Sequence, residues 1–319
     1  MKTLLTGGSG FIGASIIDHF LSDSISDSSL VATTRTMKTR QVLVEPGLSW
    51  VSWDSKESFG LSADFDLILH AATPASALLN TSDPNAMFQV IVQGMENVIE
   101  FASRHSVPPK VLFTSSGAVY GEIPSSIDYV SEDFPVGSES PGESSAYAEG
   151  KRRAEFILRD ATDAGLCNGI ITRLFAFSGK HLPRDRHFAI GNFVESAVKK
   201  KKITVRSDGS SMRSYLDEQD MAQWLLSIAR NGKTNHVYHV GSERAISIRN
   251  LAFLVSERYE ILIGKSIPVE ILGQVSQLDG VSRYVPSTLR TRSELGLSET
   301  ITLESSIDKM LETAIAAQS

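Results

Sequence analysis

With 319 residues, 41% of them hydrophobic and 21% charged, the chain is long enough for one large or two joined domains, and its composition argues against disorder. Its 31 Lys and Arg against 37 Asp and Glu leave a net charge of −6, which argues against a broad nucleic-acid or anionic-membrane surface. The single cysteine, Cys167, excludes an internal disulfide and a four-cysteine zinc site, and the seven histidines lack the i, i+4 spacing of a helical metal pair, so no metal is expected.

In chain order, Lys2 to Thr6 predicts a strand and Phe11 to Leu21 a helix with one apolar face. Ser29 to Thr34, Leu48 to Trp53 and Asp66 to His70 predict three further strands. A long helix fits Pro84 to His105, and Lys110 to Ser115 is a fifth strand rich in apolar and β-branched residues. Ala146 to Ala164 is helical, and Gly169 to Leu174 is a sixth strand. Strands alternating with helices imply parallel pairing, since each crossover needs a helix to cover the sheet. The expected fold class is therefore α/β: a Rossmann-type, doubly wound parallel sheet.

Beyond residue 176 the texture changes to a Pro-, Arg- and His-rich loop (179–187), a helix (188–199), a short strand (203–205), a loop (207–213) and a helix (218–230). Asn235 to Val240 could return to the main sheet, and one more strand lies near Ile267 to Ile271. The expected organisation is a dinucleotide-binding domain over 1–175, completed by about 214–242. A smaller mixed α/β substrate lobe is expected from 176–213 and 243–319, over the carboxyl edge of the sheet. The serine- and aspartate-rich stretch from Ser22 to Ser29 reads as a loop. The N-terminus lacks the features of a secretory signal, and no run of about 18 apolar residues occurs, so a cytoplasmic chain without a membrane partner is expected.

Thr6-Gly7-Gly8-Ser9-Gly10-Phe11-Ile12-Gly13 sits between the first strand and the first helix. Glycines there let the chain turn sharply, admit a pyrophosphate to the backbone and bring the helix close to the sheet. The helix N-terminus then aims N–H groups and partial positive charge at the phosphate. Gly7, Gly10, Phe11, Ile12 and Gly13 are thus candidate cofactor residues. The second strand ends Thr33-Thr34-Arg35-Thr36-Met37-Lys38, with a cation where NAD sites carry an acid. This predicts NADP(H) in preference to NAD(H), held by Arg35 and aided by Lys38. Asp54, just past the third strand, is placed to bond the adenine amino group.

Tyr147 and Lys151 share one helical face, four residues apart, and follow the strand that ends Thr114-Ser115-Ser116-Gly117-Ala118-Val119-Tyr120-Gly121. A tyrosine that exchanges protons near neutrality must fall from a pKa of about 10, and three units correspond to about 4 kcal/mol. A nearby ammonium and a positive nicotinamide both favour phenolate. A hydroxyl from Ser116 can hold the substrate oxygen while hydride moves at its carbon.

The glycine loop, His70-Ala71-Ala72, the Ser115 to Gly121 stretch, Tyr147 to Lys151, Arg173-Leu174-Phe175 and Met212 to Asp220 together resemble the extended short-chain dehydrogenase/reductase family. That family includes the nucleotide-sugar epimerases, dehydratases and reductases. The resemblance implies a nucleotide-diphosphate sugar substrate, gripped by Arg213 and Asn192, with Arg283 as a second clamp. It also implies Ala71 and Ala72 against the cofactor, and a homodimer through the helices near 84–105 and 146–164. Gly117 and Ala118 stand where dehydratases carry Asp and Glu, and decarboxylases also carry Glu at the Ala118 position. Glu149-Gly150-Lys151-Arg152 resembles the decarboxylases. The family's asparagines on the long helix and after Arg-x-Phe are replaced here by Ile91 and Ala176. The leading expectation is redox at carbon 4, as a 4-ketoreductase or 4-epimerase. A 4,6-dehydratase or decarboxylase, and a non-catalytic NAD(P)-sensing regulator, remain as alternatives.

Overall fold

The computed structural model describes residues 1–22, 29–36, 45–73, 77–137, 145–184, 188–274 and 281–318. Lys38, most of the expected 22–29 loop and the end of the 179–187 loop lie outside the described residues. The chain divides into two compact units. The first comprises Met1–Gly121, Asp133–Leu174 and Ala222–Tyr238; the second comprises Glu122–Glu132, Phe175–Met221 and His239–Ser319.

The first unit opens with β1 (Lys2–Thr6), α1 (Phe11–Ser22), β2 (Ser29–Thr34), β3 (Leu48–Ser52) and β4 (Leu67–His70). It continues through α2 (Ala77–Ser82), α3 (Pro84–Ala102), β5 (Lys110–Ser116), a 3-10 turn at Gly117–Tyr120, α4 (Ala146–Asp163) and β6 (Asn168–Leu174). The later elements are β7 (Phe177–Ser178), α5 (Ala189–Val198), β8 (Ile203–Val205), β9 (Met212–Ser214), β10 (Leu216–Asp217) and α6 (Glu218–Asn231). They are followed by β11 (Val237–Val240), β12 (Ala245–Ser247), α7 (Ile248–Ile263), β13 (Val269–Ile271), β14 (Arg283–Tyr284), α8 (Leu289–Leu295) and α9 (Leu303–Ala316).

Seven strands form one sheet in the order β11-β6-β5-β4-β1-β2-β3, with β1 to β6 paired in parallel. This is a Rossmann-type fold. Its central strands are apolar along their length because helices cover a parallel sheet: Leu4, Leu5, Ile68, Leu69, Val111, Leu112 and Phe113 are all buried. The order reverses between β1 and β4, where α/β sheets of this kind present ligands at the carboxyl ends of their strands. In register, Thr6 lies beside His70 and His70 beside Phe113, so the loops after β1 and β4 leave the sheet at one level.

Several sequence boundaries move for local reasons. The expected strand at Asn235 begins at Val237, because Asn235 takes a left-handed turn (φ 63°) while its N–H donates to the Gly169 carbonyl (2.7 Å). The expected 207–213 loop ends in β9, because Met212 N donates to Ser282 O and β9 pairs with β12 and β14. Strands β12 and β14, only three and two residues long, were not legible as periodic runs.

Helix α3 begins at Pro84 after Asp83, whose carboxylate accepts the Ala86 N–H (3.0 Å). Helix α4 begins after Ser145, whose hydroxyl accepts the Ala148 N–H (3.1 Å). The two helices pack together, and a methyl added at Gly150 would come within 2.9 Å of Ile91 Cδ1. Ile91 is therefore a core residue that seats the helix carrying Tyr147 and Lys151.

Candidate active site

The glycine loop is built around backbone approach. Gly7 has φ 75°, and a Cβ there would lie 2.7 Å from the Ala71 carbonyl oxygen. A Cβ at Gly13 would collide with the Gly7 carbonyl, so only glycine lets α1 begin this close to β1. Gly10 N donates to Gly7 O (3.0 Å) and Ala14 N to Gly10 O (2.8 Å), which fixes the entry into α1. Strand β2 supports the loop from the side: Thr33 Oγ1 accepts Gly7 N–H (3.2 Å), and Thr34 Oγ1 donates to Ser9 Oγ (3.2 Å). Phe11 and Ile12 open α1, half-buried. Arg35, directly after β2, is exposed. Asp54 is half-buried just beyond β3, and its carboxylate accepts the Lys56 N–H (3.0 Å).

The loop after β4 is tied back to β1 by one hydroxyl. Thr6 Oγ1 accepts N–H bonds from Ala71 and Ala72, both 3.1 Å, and lies 2.8 Å from His70 Nδ1. An oxygen that already accepts two N–H groups has its own proton left to donate, which makes His70 the neutral tautomer protonated on Nε2. Burial, and then the charge of Lys151, push the His70 pKa down to about 3.

Ser116, Tyr147 and Lys151 converge in the first unit. Ser116 ends β5, its hydroxyl accepts the Ala118 N–H (3.1 Å), and it also hydrogen-bonds Tyr147. Tyr147, in the first turn of α4, donates its main-chain N–H to Asn80 Oδ1 (2.9 Å). One turn on, Lys151 Nζ donates to Thr114 O (2.6 Å) and to Thr73 Oγ1 (3.1 Å). The ammonium also sits 4.7 Å from the Phe113 ring centroid and 5.6 Å from that of Tyr147.

The electrostatics differ from the sequence expectation in one respect. Burial pushes the Tyr147 phenol above its ordinary value, with the Ser116 hydrogen bond opposing. Burial also pulls Lys151 down to about 7, opposed by Glu155. A lysine whose charge is opposed by burial is a weakened means of depressing a neighbouring phenol. The protein thus delivers a reluctant acid beside a lysine whose charge burial opposes, and a bound positive charge would help to bring the phenol down.

Sequence reasoning missed four contributors: Thr73, Asn80, the Thr114 carbonyl and Glu155. The last left a signal, an acid four residues beyond Lys151, which puts both side chains on one helical face. The three acceptors, Thr73 Oγ1, Asn80 Oδ1 and the Thr114 carbonyl, left none, because they depend on tertiary approach.

In the second unit, Arg213 on β9 and Arg283 on β14 lie on paired strands, with Tyr284 opposite Arg213. Arg213 Nη1 donates to Met212 O (2.8 Å), and its guanidinium stands 5.8 Å over the Tyr284 ring. Arg283 pairs with exposed Asp128 (3.4 Å). Asn192 is exposed on α5.

Residues 3–241 match the model of the NAD dependent epimerase/dehydratase family. The chain belongs to that family. UDP-glucuronic acid decarboxylase 1 of Arabidopsis thaliana is 26% identical over 316 residues, covering 98% of this chain and 69% of that protein. UDP-glucose 4-epimerase of Thermotoga maritima, solved with UDP-glucose, is 18% identical, with a TM-score of 0.84 and 100% of each chain covered. RMD from Pseudomonas aeruginosa, complexed with NADPH, is 19% identical, with a TM-score of 0.80 and 99% of each chain covered. The two solved structures share the fold of this chain. No described helix is long and apolar enough to cross a membrane, and the described residues contain no cluster of three metal-ligating side chains.

Proposed function

We propose that the chain moves hydride at carbon 4 of a nucleotide-diphosphate sugar, as a 4-ketoreductase or 4-epimerase. The observation that carries this reading is the Ser116–Tyr147 hydrogen bond beside a lysine fixed by Thr114 and Thr73. The Gly7 and Gly13 cradle, where a Cβ would meet backbone, fits a dinucleotide. When bound, its nicotinamide accepts or supplies hydride, and in the oxidised form adds positive charge that favours phenolate. Tyr147 takes the proton of the C4 hydroxyl or returns one to a C4 ketone, and Ser116 holds that oxygen. Lys151 has two of its three N–H groups committed to Thr114 and Thr73, which leaves one for a ribose hydroxyl.

NADP(H) is the preferred cofactor in this reading, because β2 ends without an acid and exposed Arg35 follows it. Lys38 and Asp54 are assigned lesser roles, at the 2′-phosphate and the adenine. NADPH in RMD shows that a related fold accommodates it. The guanidinium forks of Arg213 and Arg283 suit a diphosphate, with Asn192 as a further contact. Homodimerisation is proposed through α3 and α4, where Phe156 is 52% exposed.

A decarboxylase reading is favoured by Glu149-Gly150-Lys151-Arg152 and by the likeness to UDP-glucuronic acid decarboxylases over 98% of the chain. A uronic acid oxidised at C4 is a β-keto acid, whose loss of carbon dioxide leaves an enolate that must still take a proton at C5. Gly117 and Ala118 supply no acid or base, which counts against elimination of water and also against decarboxylation. Incubation with 4-keto sugar nucleotides should consume NADPH at 340 nm if the chain is a reductase, whereas epimerisation proceeds without net consumption. Release of carbon dioxide from UDP-glucuronic acid would replace both readings with decarboxylation.

A further inference from the structure

Beside the reacting side chains lies a buried ionic group that the proposed chemistry leaves unused. Glu155 on α4 is 4% exposed and Arg173 on β6 is 2% exposed. Glu155 Oε1 accepts Ser115 Oγ–H (2.6 Å) and Arg173 Nε–H (3.0 Å), while Oε2 accepts Arg173 Nη2–H (2.8 Å). Arg173 Nη1 donates to Tyr120 OH (2.8 Å), and its guanidinium stacks 4.8 Å over that ring. The hydrogen bonds of the Glu155 carboxylate to Arg173, together with its charge, outweigh burial and hold the guanidinium above its ordinary pKa.

One carboxylate thereby joins α4, β5 and β6. Ser115 immediately precedes Ser116, and Glu155 follows Lys151 by one helical turn on the same face. An apolar pair would attach helix to sheet as well or better, since burying two ions costs about as much as their attraction returns. What the charge adds is a field at Lys151. The groups around that ammonium are Tyr147 and Glu155 on α4, neutral His70 on β4, Thr73 beyond it, and Phe113 and the Thr114 carbonyl on β5. Glu155 is the negative group among them, and Arg173 moderates it.

We propose that Glu155 is a positioning residue that acts through Lys151: pinned by Ser115 and Arg173, its carboxylate is the counter-charge that keeps the ammonium protonated and able to hold a dinucleotide. The inference rests on the reading of Lys151 as a dinucleotide-binding group, but not on any particular sugar.

The test is NADPH binding, followed by nicotinamide fluorescence from pH 5.5 to 9, in the full-length chain. Wild-type affinity should fall as pH rises through a midpoint that Lys151→Met removes. Glu155→Gln should move that midpoint down by about one pH unit. The double variant Glu155→Met/Arg173→Met, which leaves no unpaired charge, should move it the same way and covers the case where the single variant fails to fold. A merely structural role would lower Tm and leave the midpoint in place, and that result overturns the proposal. So does a wild-type profile with no Lys151-dependent transition. A chain that turns over no nucleotide sugar yet shows the shift supports this inference and sinks the proposed reaction.

Discussion

Lys151 Nζ and the main-chain oxygen of Thr114 lie 2.6 Å apart, so the strand that ends in Ser116 also fixes the lysine one turn beyond Tyr147. Removing only the phenol oxygen should leave this arrangement standing. Tyr147→Phe is expected to lower kcat by a factor on the order of a hundred to ten thousand, the span of general acid–base catalysis. NADPH affinity and Tm should stay near wild type. Unchanged turnover of every sugar nucleotide would return the chain to the non-catalytic sensor.

His70 makes a separate prediction about stability. Its folded pKa of about 3 is below the unfolded 6.5, so the unfolded chain binds the extra proton between those values. Stability from this group is fully present above 6.5 and falls as pH drops toward 3, by about 1.4 kcal/mol per pH unit. Urea unfolding of wild type and His70→Gln between pH 4 and 7 isolates it from the carboxylates. The difference between the two should narrow as the pH falls; a constant difference would refute the assignment.

The sheet was readable because its signals are local. Buried strands such as Val111 to Phe113 declare themselves as apolar runs, and the glycines at 7, 10 and 13 mark a junction that few other residues could form. Tyr147, Lys151 and Ser116 were legible for the same reason, by spacing along a helix and at a strand end. The direction of the Tyr147 shift was not, because it is set by desolvation, which depends on what packs above the ring. Arg173 was recognisable as part of a motif, yet its partners Glu155, Ser115 and Tyr120 come together only through the parallel pairing of β5 with β6.

The glycine loop separates two kinds of glycine. A Cβ at Gly13 meets backbone atoms of Gly7 and Gly8, which cannot move without displacing β1 from α1. At Gly10 the nearest atom would be 3.3 Å away, a contact that a slight shift relieves. Gly13→Ala should therefore weaken NADPH binding on the order of a hundredfold, equivalent to about 2.7 kcal/mol of strain. Gly10→Ala should cost less than about tenfold. Equal effects, measured by fluorescence titration, would mean that the cradle is more compliant than its geometry states.

Cofactor choice turns on the end of β2. Strand β2 ends at Thr34 without an acid to hold a ribose 2′-hydroxyl, and the Thr34 hydroxyl is committed to Ser9. Arg35 follows, exposed. A charge-assisted bond to phosphate contributes about 1.5–3 kcal/mol, so Arg35→Ala should weaken NADP(H) binding by about ten- to a hundredfold and leave NAD(H) unchanged. Thr34→Asp should push the preference further, because a carboxylate repels the 2′-phosphate and accepts a bond from the free hydroxyl. The ratio of NADP to NAD dissociation constants, measured for all three chains at one salt concentration, decides the matter. If wild type already binds NAD more tightly and Arg35→Ala changes nothing, Arg35 is a solvent-facing residue and the cofactor is NAD.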